Sequence, residues 1–383
     1  MTIPLSSPNL NGNELKYVKR CIETGWISSA GEFVNNFETQ ISNYTKTNYA
    51  IACMNGTVGL QTALNVLGVS NNDLVITTNL TFVATLNAIN YTNAEPLLFD
   101  IDESTWQINL ELVQEWLVEN TIVKEINGRL HSYTKKTNRR IGAIIPVHVL
   151  GGLVDIDHLL VISEKHHIPI VEDSAEALGS FYNGKSAGSF GKVGVFSFNG
   201  NKIISTGGGG MLVTDDKGLS VKAKHITTTA KTSPVDYFHD EVGFNYRLVN
   251  VLAAIGVAQM EQFRVILKNK KKIDYNYRTE LNGLSDIIFQ NHIKNSDPNC
   301  WLFTFRTSKM RSLLEYLNSN KIQSRPFWTP MNKLPMYSHL EYINKNDVTG
   351  KIFSECISIP SSSNLSELQQ EKVINTIKKF YQK

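Results

Sequence analysis

Residues 168–180, IPIVEDSAEALGS, and residues 193–214, VGVFSFNGNKIISTGGGGMLVT, each open on a short apolar run rich in isoleucine and valine. Such a run, bounded by polar and glycine residues, is the signature of a strand buried on both faces. Working outward, NYAIACMN (48–55), DLVITTN (73–79), AEPLLFDID (94–102) and IGAIIPVHV (141–149) repeat the pattern, with helical stretches between them. The helix after the first is the clearest: Leu60, Ala63, Leu64 and Leu67 recur at helical spacing directly after Asn55-Gly56-Thr57. Strands alternating with helices predict an α/β fold built on a mostly parallel sheet.

Two flanking regions complete the outline. Asn11, followed three residues later by Glu14, reads as a capping box opening a helix that runs to about Thr24. From Arg247 to about Leu281 the pattern is helical and long, and new strands such as CWLFTFRT (300–307) follow it. The chain is therefore expected to divide into a large unit, residues 1–250, and a linking helix with a smaller C-terminal α/β domain, residues 251–383. Between Asn120 and Arg140 the sequence turns polar and basic, and is taken as a surface excursion between two sheet elements.

Composition narrows the function. The 383 residues, 42% hydrophobic and 19% charged with net charge +3, are ordinary for an enzyme and offer no basic stripe for nucleic acid. The first 14 residues, MTIPLSSPNLNGNE, lack the layout of a secretion signal. The longest apolar stretch, Ile141–Leu153, is broken by His148 and too short to span a bilayer, so a cytoplasmic location is expected. Cys21, Cys53, Cys300 and Cys356 are scattered without CxxC spacing, which predicts core thiols and neither a disulfide framework nor a metal site.

The chemistry concentrates in the two stretches quoted first. Asp173 ends one strand run, and Lys202 lies between FSFNGN and IISTGGGG. A lysine able to bond an aldehyde, paired with a carboxylate that keeps a pyridine nitrogen protonated, is what pyridoxal 5′-phosphate (PLP) requires. The phosphate of that cofactor would suit the N-terminus of the helix opened by Gly56 and Thr57, where free amides and the helix dipole favour an anion. Ser197, five residues before Lys202, could add a hydroxyl. Taken alone, Asn-Gly-Thr before a helix is more often a simple cap. The glycines 207–210 lack the spacing of a nucleotide loop and are read as letting backbone pass close to a bulky group, or as a turn. The lysine run 268–272, KNKKK, is read as a solvated helix face. His148, beside a strand end, reads first as a core histidine and second as a contact for substrate.

Beyond these readings, GTVGLQTAL, TFVAT, IPVHVLG, VEDSAEALGS, GSFGKVGVFSFNGNKIISTGGGGM and GFNYRLVNVLAAIGVAQ occur in linked order nearly end to end. The chain resembles the PLP-dependent sugar-nucleotide aminotransferases of the DegT/StrS type. The resemblance implies an aspartate-aminotransferase-like, fold type I architecture and a homodimer with shared active sites. It makes Lys202 the residue that bonds the cofactor and moves protons, Asp173 the partner of the ring nitrogen, and Gly56, Thr57 and Ser197 the phosphate ligands. Phe82 would stack on the ring, and Asn245 would reach the phosphate from the neighbouring subunit. Glu176 stands where many members have glutamine near the cofactor's phenolic oxygen. An ionised carboxylate there would have to be protonated, bridged by water or turned away.

The resemblance further implies L-glutamate as amino donor and a nucleotide-linked keto sugar as acceptor, used in two half-reactions at one site. Because Lys202 is present, and not the histidine that marks the family's dehydratases, transamination is expected. The opening segment and IQSRPFWTPMN (322–332) are similar to 4-aminotransferases of the bacillosamine and legionaminic acid type. A UDP-linked 4-keto-6-deoxy-2-acetamido sugar is therefore the first expectation, with Arg325 and Trp328 as candidate contacts. GDP-4-keto-6-deoxymannose, as in perosamine synthesis, is the alternative acceptor. From another class, a non-catalytic protein that binds PLP or a sugar nucleotide is the rival reading.

Overall fold

The computed structural model describes residues 2–233 and 235–382. Each of the apolar runs forms a strand: Tyr49–Cys53, Leu74–Thr78, Glu95–Phe99, Ile141–Ile145, Val171–Asp173, Val193–Ser197 and Gly210–Thr214. Leu74–Thr78 pairs in parallel with both Glu95–Phe99 and Ile141–Ile145. Parallel bridges Ile144 to Ile170 and Val147 to Asp173 carry the sheet on to Val171–Asp173, which pairs in parallel with Val193–Ser197. Gly210–Thr214 is the antiparallel member, between Val193–Ser197 and Tyr49–Cys53. A mostly parallel sheet results, as the alternation of elements predicts.

Parallel strands need crossovers, and the crossovers put helices on both faces. The alternation of side chains shows it: Ile51, Cys53, Val195 and Leu212 pack toward the helices Gly56–Val66 and Lys217–Thr227. Their neighbours Ala52, Phe196, Met211 and Val213 pack on the other side, against Glu32–Thr45 and Asn250–Glu261. Each buried side chain of this size is worth about 1.5–3 kcal/mol, so both helix layers are fixed by the same strands. That is why these runs read as continuously apolar rather than alternating.

Three local readings are revised. The first helix starts at Glu14 and is preceded by Asn13, which makes no side-chain cap, so Asn11 is not its capping residue. Glu14 instead turns inward, accepting the Gly12 amide at 2.8 Å and the Gln259 side chain at 2.6 Å. The excursion 120–140 is a β-hairpin, Thr121–Ile126 against Arg129–Thr134, turned by Asn127 and Gly128 at φ 51° and 74°. Those two positive φ values suit the Asn-Gly turn of a two-residue hairpin. The lysine run is not wholly solvated: Lys270 is 5% exposed, and its ammonium donates to the carbonyls of Trp301 and Ser361. Sequence spacing did not show this, because the buried face of Phe263–Leu281 passes through Lys270 between Ile266 and Ile273.

Along Phe263–Leu281 the packing partners change. Phe263 and Ile266 belong to the core around Phe37 and Phe198, whereas Ile273, Tyr277 and Leu281 join Phe303, Phe305, Leu313 and Val373. The second core lies against an antiparallel sheet of Ile288–Phe289, Thr304–Arg306, Cys356–Ser358 and Arg325–Pro326. Segments are exchanged between the halves. Ile3 bridges Ile322 and enters the C-terminal core, and Tyr342–Ile343 adds a parallel strand to Glu95–Phe99. Among the described residues no helix is long and apolar enough to cross a membrane.

Candidate active site

Ligands of open α/β sheets bind beyond the C-terminal ends of the parallel strands. In that position a cavity of about 430 Å³ is lined by residues following Cys53, Thr78, Ile145, Asp173 and Ser197, and closed by Trp301 and the segment Arg325–Trp328. A larger hollow of about 1110 Å³ under the hairpin is lined by Asp73, Arg139 and Arg140. Two of its three arginines are already committed, Arg140 to Asp73 and Arg139 to Glu95, so it offers weaker chemistry.

Asp173 is the last residue of its strand and 5% exposed. Its Oδ2 accepts the Thr85 hydroxyl at 2.7 Å and its Oδ1 the Ala175 amide at 3.2 Å. Burial pushes its pKa up, and the Thr85 hydroxyl, the Ala175 amide and the charge of Lys202 oppose that rise. None of the ion pairs formed among the described residues includes it. A buried carboxylate facing a cavity without a cationic partner is suited to a cation brought by a ligand.

Lys202 Nζ donates to Glu176 Oε1 at 3.2 Å and lies 4.2 Å from the centre of the Trp301 ring. Glu176 is also buried, and its Oε2 accepts the Leu150 amide at 2.8 Å. Burial raises its pKa, while the Lys202 charge and the Leu150 amide hold it down. The carboxylate is thus turned toward the lysine.

At the opposite end of the chemistry, the helix Gly56–Val66 is capped by Asn55, whose side chain accepts the Val58 amide at 3.0 Å. The Gly56 and Thr57 amides are first-turn donors, which a helix leaves without internal partners. A Cβ on Gly56 would stand 3.1 Å from the Cβ of Ser197, so glycine keeps this corner open. Gly210 has a related duty: a Cβ there would lie 2.6 Å from the Asn55 carbonyl and 2.9 Å from the Gly56 nitrogen. Within the glycine run, it is Gly210 that lets backbone pass the helix N-terminus closely.

The remaining candidates divide. Phe82, 55% exposed, stands on the cavity wall with Trp328 edge-on at 6.5 Å between ring centres. Arg325 is exposed at the rim, and Trp328 is half-buried against Phe327. His148 is fully buried, its Nε2 3.0 Å from Glu172 Oε2, and it does not line the cavity. The core reading of that histidine therefore describes its position, and a substrate contact does not. Asn245 is exposed and lies outside the cavity of its own chain.

Thr85 and Trp301 escaped the sequence reading. A threonine three residues after Phe82 carries no signal until the strand end beside it is known. CWLFTFRT announced only a strand.

The residues present fit PLP. The site offers a lysine amine, a buried unpaired carboxylate, and an anion cradle that a single Cβ would fill. Comparison with known proteins points the same way. The GDP-perosamine synthase of Escherichia coli O157:H7 is 35% identical over 384 residues, covering 99% of this chain and 98% of the relative. That of Vibrio cholerae is 34% identical, covering 99% of each chain. PseC of Helicobacter pylori, an aminotransferase involved in the biosynthesis of pseudoaminic acid, superposes with a TM-score of 0.88 at 21% identity over the full length of both chains. The chain thus has the aspartate-aminotransferase-like architecture called fold type I. With a family model matching residues 8–378, the chain belongs to the DegT/DnrJ/EryC1/StrS aminotransferase family and is a PLP-dependent sugar aminotransferase.

Proposed function

We propose that this enzyme moves the amino group of L-glutamate to C4 of a GDP-linked 4-keto-6-deoxy sugar, as a perosamine synthase does. The observation that carries the reading is full-length similarity to two relatives named GDP-perosamine synthase, at 34% and 35% identity. This similarity supports the GDP acceptor over the UDP-linked acetamido sugar expected first from the opening segment and the Arg325 region.

In this reading Gly56, Thr57 and Ser197 hold the cofactor's phosphate, Asp173 its ring nitrogen, Phe82 its face, and Lys202 its aldehyde carbon. When bound, PLP supplies an electron-withdrawing ring that carries nitrogen from donor to acceptor. Lys202 Nζ takes the proton from the α-carbon of the donor and returns one to C4 of the sugar. Asp173, kept from water by burial and oriented by Thr85, stays anionic beside the positive ring nitrogen. Glu176 balances the charge of Lys202 whenever that amine is protonated. Arg325 and Trp328, at the mouth, contact the nucleotide sugar. Asn245 completes the phosphate site of the partner subunit in a homodimer.

The test is a side-by-side assay with L-glutamate and either GDP-4-keto-6-deoxymannose or the UDP-linked 4-keto-6-deoxy-2-acetamido sugar, reading 2-oxoglutarate and the aminated sugar. Turnover of the GDP sugar at least tenfold faster in kcat/KM is expected, a difference of about 1.4 kcal/mol. Turnover confined to the UDP sugar would reverse the assignment.

A further inference from the structure

Lys202 rests against two groups, and only Glu176 has an evident role in the reading above. The other is Trp301, whose indole N–H donates to the Asn201 carbonyl at 2.7 Å, the peptide just before Lys202, while its ring lies 4.2 Å from Lys202 Nζ. One side chain therefore grips both the backbone and the tip of the lysine.

The segment carrying Trp301 is itself held firmly. Asn299 donates to the Glu176 and Leu178 carbonyls at 2.7 and 2.9 Å, and accepts the Trp301 amide at 3.0 Å. Buried Lys270 donates to the Trp301 carbonyl. Between them Cys300 has φ 55°, in the left-handed region that a side chain adopts only when its surroundings impose it. Asn299 thus fixes Glu176, and Trp301 fixes Lys202, across one constrained peptide turn.

We propose that Trp301 is a positioning residue: its ring, with the Glu176 carboxylate, forms the seat that holds the Lys202 ammonium whenever the lysine is not bonded to the cofactor. A transaminase frees its lysine in the first half-reaction and bonds it again only at the end of the second, and a cation freed in a partly closed cavity needs partners. An anionic oxygen at 3.2 Å and a π-face at 4.2 Å supply them while leaving the tip on the cavity wall. The other charged groups near the seat are Asp173 beside Glu176, with His148 behind it, Arg325 on the far rim, and Lys270 behind Trp301. The proposal rests on PLP dependence and not on which sugar is accepted.

The experiment uses apo-enzyme and PLP alone. The rate of PLP uptake, followed by absorbance across pH, reports the fraction of Lys202 that is neutral. Removing the π-face in Trp301→Leu should move the midpoint down by about one unit, since a desolvated cation–π contact has that size. Trp301→Phe, with a weaker face, should fall between Trp301→Leu and wild type. Protein labelled uniformly with 5-fluorotryptophan keeps the shape of the indole but weakens its face, and should shift in the same direction by roughly a third as much. An unchanged midpoint in the labelled protein would overturn the proposal even if Trp301→Leu did not fold. Because no sugar is present, that result would leave the acceptor assignment intact.

Discussion

Lys202 and Asp173 were legible as residues because their chemistry is rare in combination: a carboxylate at the end of one apolar strand run and an amine five residues beyond another. What surrounds them was not legible. Thr85 reaches Asp173 from 88 positions away in sequence, and Trp301 reaches the Lys202 peptide from about a hundred, through folding alone. Asp173→Asn keeps the Thr85 contact and removes the charge; kcat should fall at least about 100-fold, the usual scale for losing one preorganised charge. Single-turnover kinetics with L-glutamate would check it. Glu176→Gln should act differently, retaining activity within about tenfold because hydrogen bonding at that position survives. Without the anion at 3.2 Å the Lys202 ammonium is less stable, so the acid limb of the pH–rate profile should move to lower pH.

At the scale of elements, the seven strands and the helix opened at Gly56 could be read from the sequence, whereas the start of the first helix at Glu14 and the lone buried charge of Lys270 could not. Gly56 and Gly210 show how two elements share one corner. Gly210→Ala would press a methyl against Asn55 backbone, which cannot swing aside as a side chain can, and should cost about 1–3 kcal/mol in urea unfolding. Gly56→Ala meets only the Ser197 side chain, so the fold should persist while PLP affinity falls about tenfold by equilibrium titration. Lys270 joins the long helix to the Trp301 segment, and burial brings its pKa down to about 8 from 10.5. Its folded value is depressed, so the unfolded chain binds the extra proton between those limits and stability should rise as pH climbs from 8 toward 10.5. A neutral amine still has two hydrogens for its two carbonyl partners. Relative to Lys270→Met, wild type should gain about 3 kcal/mol over that window, measured by denaturant unfolding at fixed salt.

For the whole molecule, the linked order of motifs exposed the family, while the interleaving of the two halves stayed hidden. The isolated bridge of Ile3 to Ile322 and the two-residue edge strand Tyr342–Ile343 leave almost no periodic signal. Asn245, exposed in its own chain, is the residue proposed above to complete the partner's phosphate site. If sites are shared, mixing inactive Lys202→Ala and Asn245→Ala subunits should restore about a quarter of wild-type activity, because half of the dimers then hold one intact site. Sites built within one chain would restore none. The assignment as a whole turns on whether Lys202 and the cavity around it carry out both halves of amino transfer. The absorbance of the PLP-loaded protein, recorded as L-glutamate and then GDP-4-keto-6-deoxymannose are added, tests that directly. The account predicts that glutamate bleaches the bound-cofactor band and the sugar restores it, with both changes lost in Lys202→Ala. A band that glutamate leaves untouched, or one that responds equally in Lys202→Ala, would contradict it.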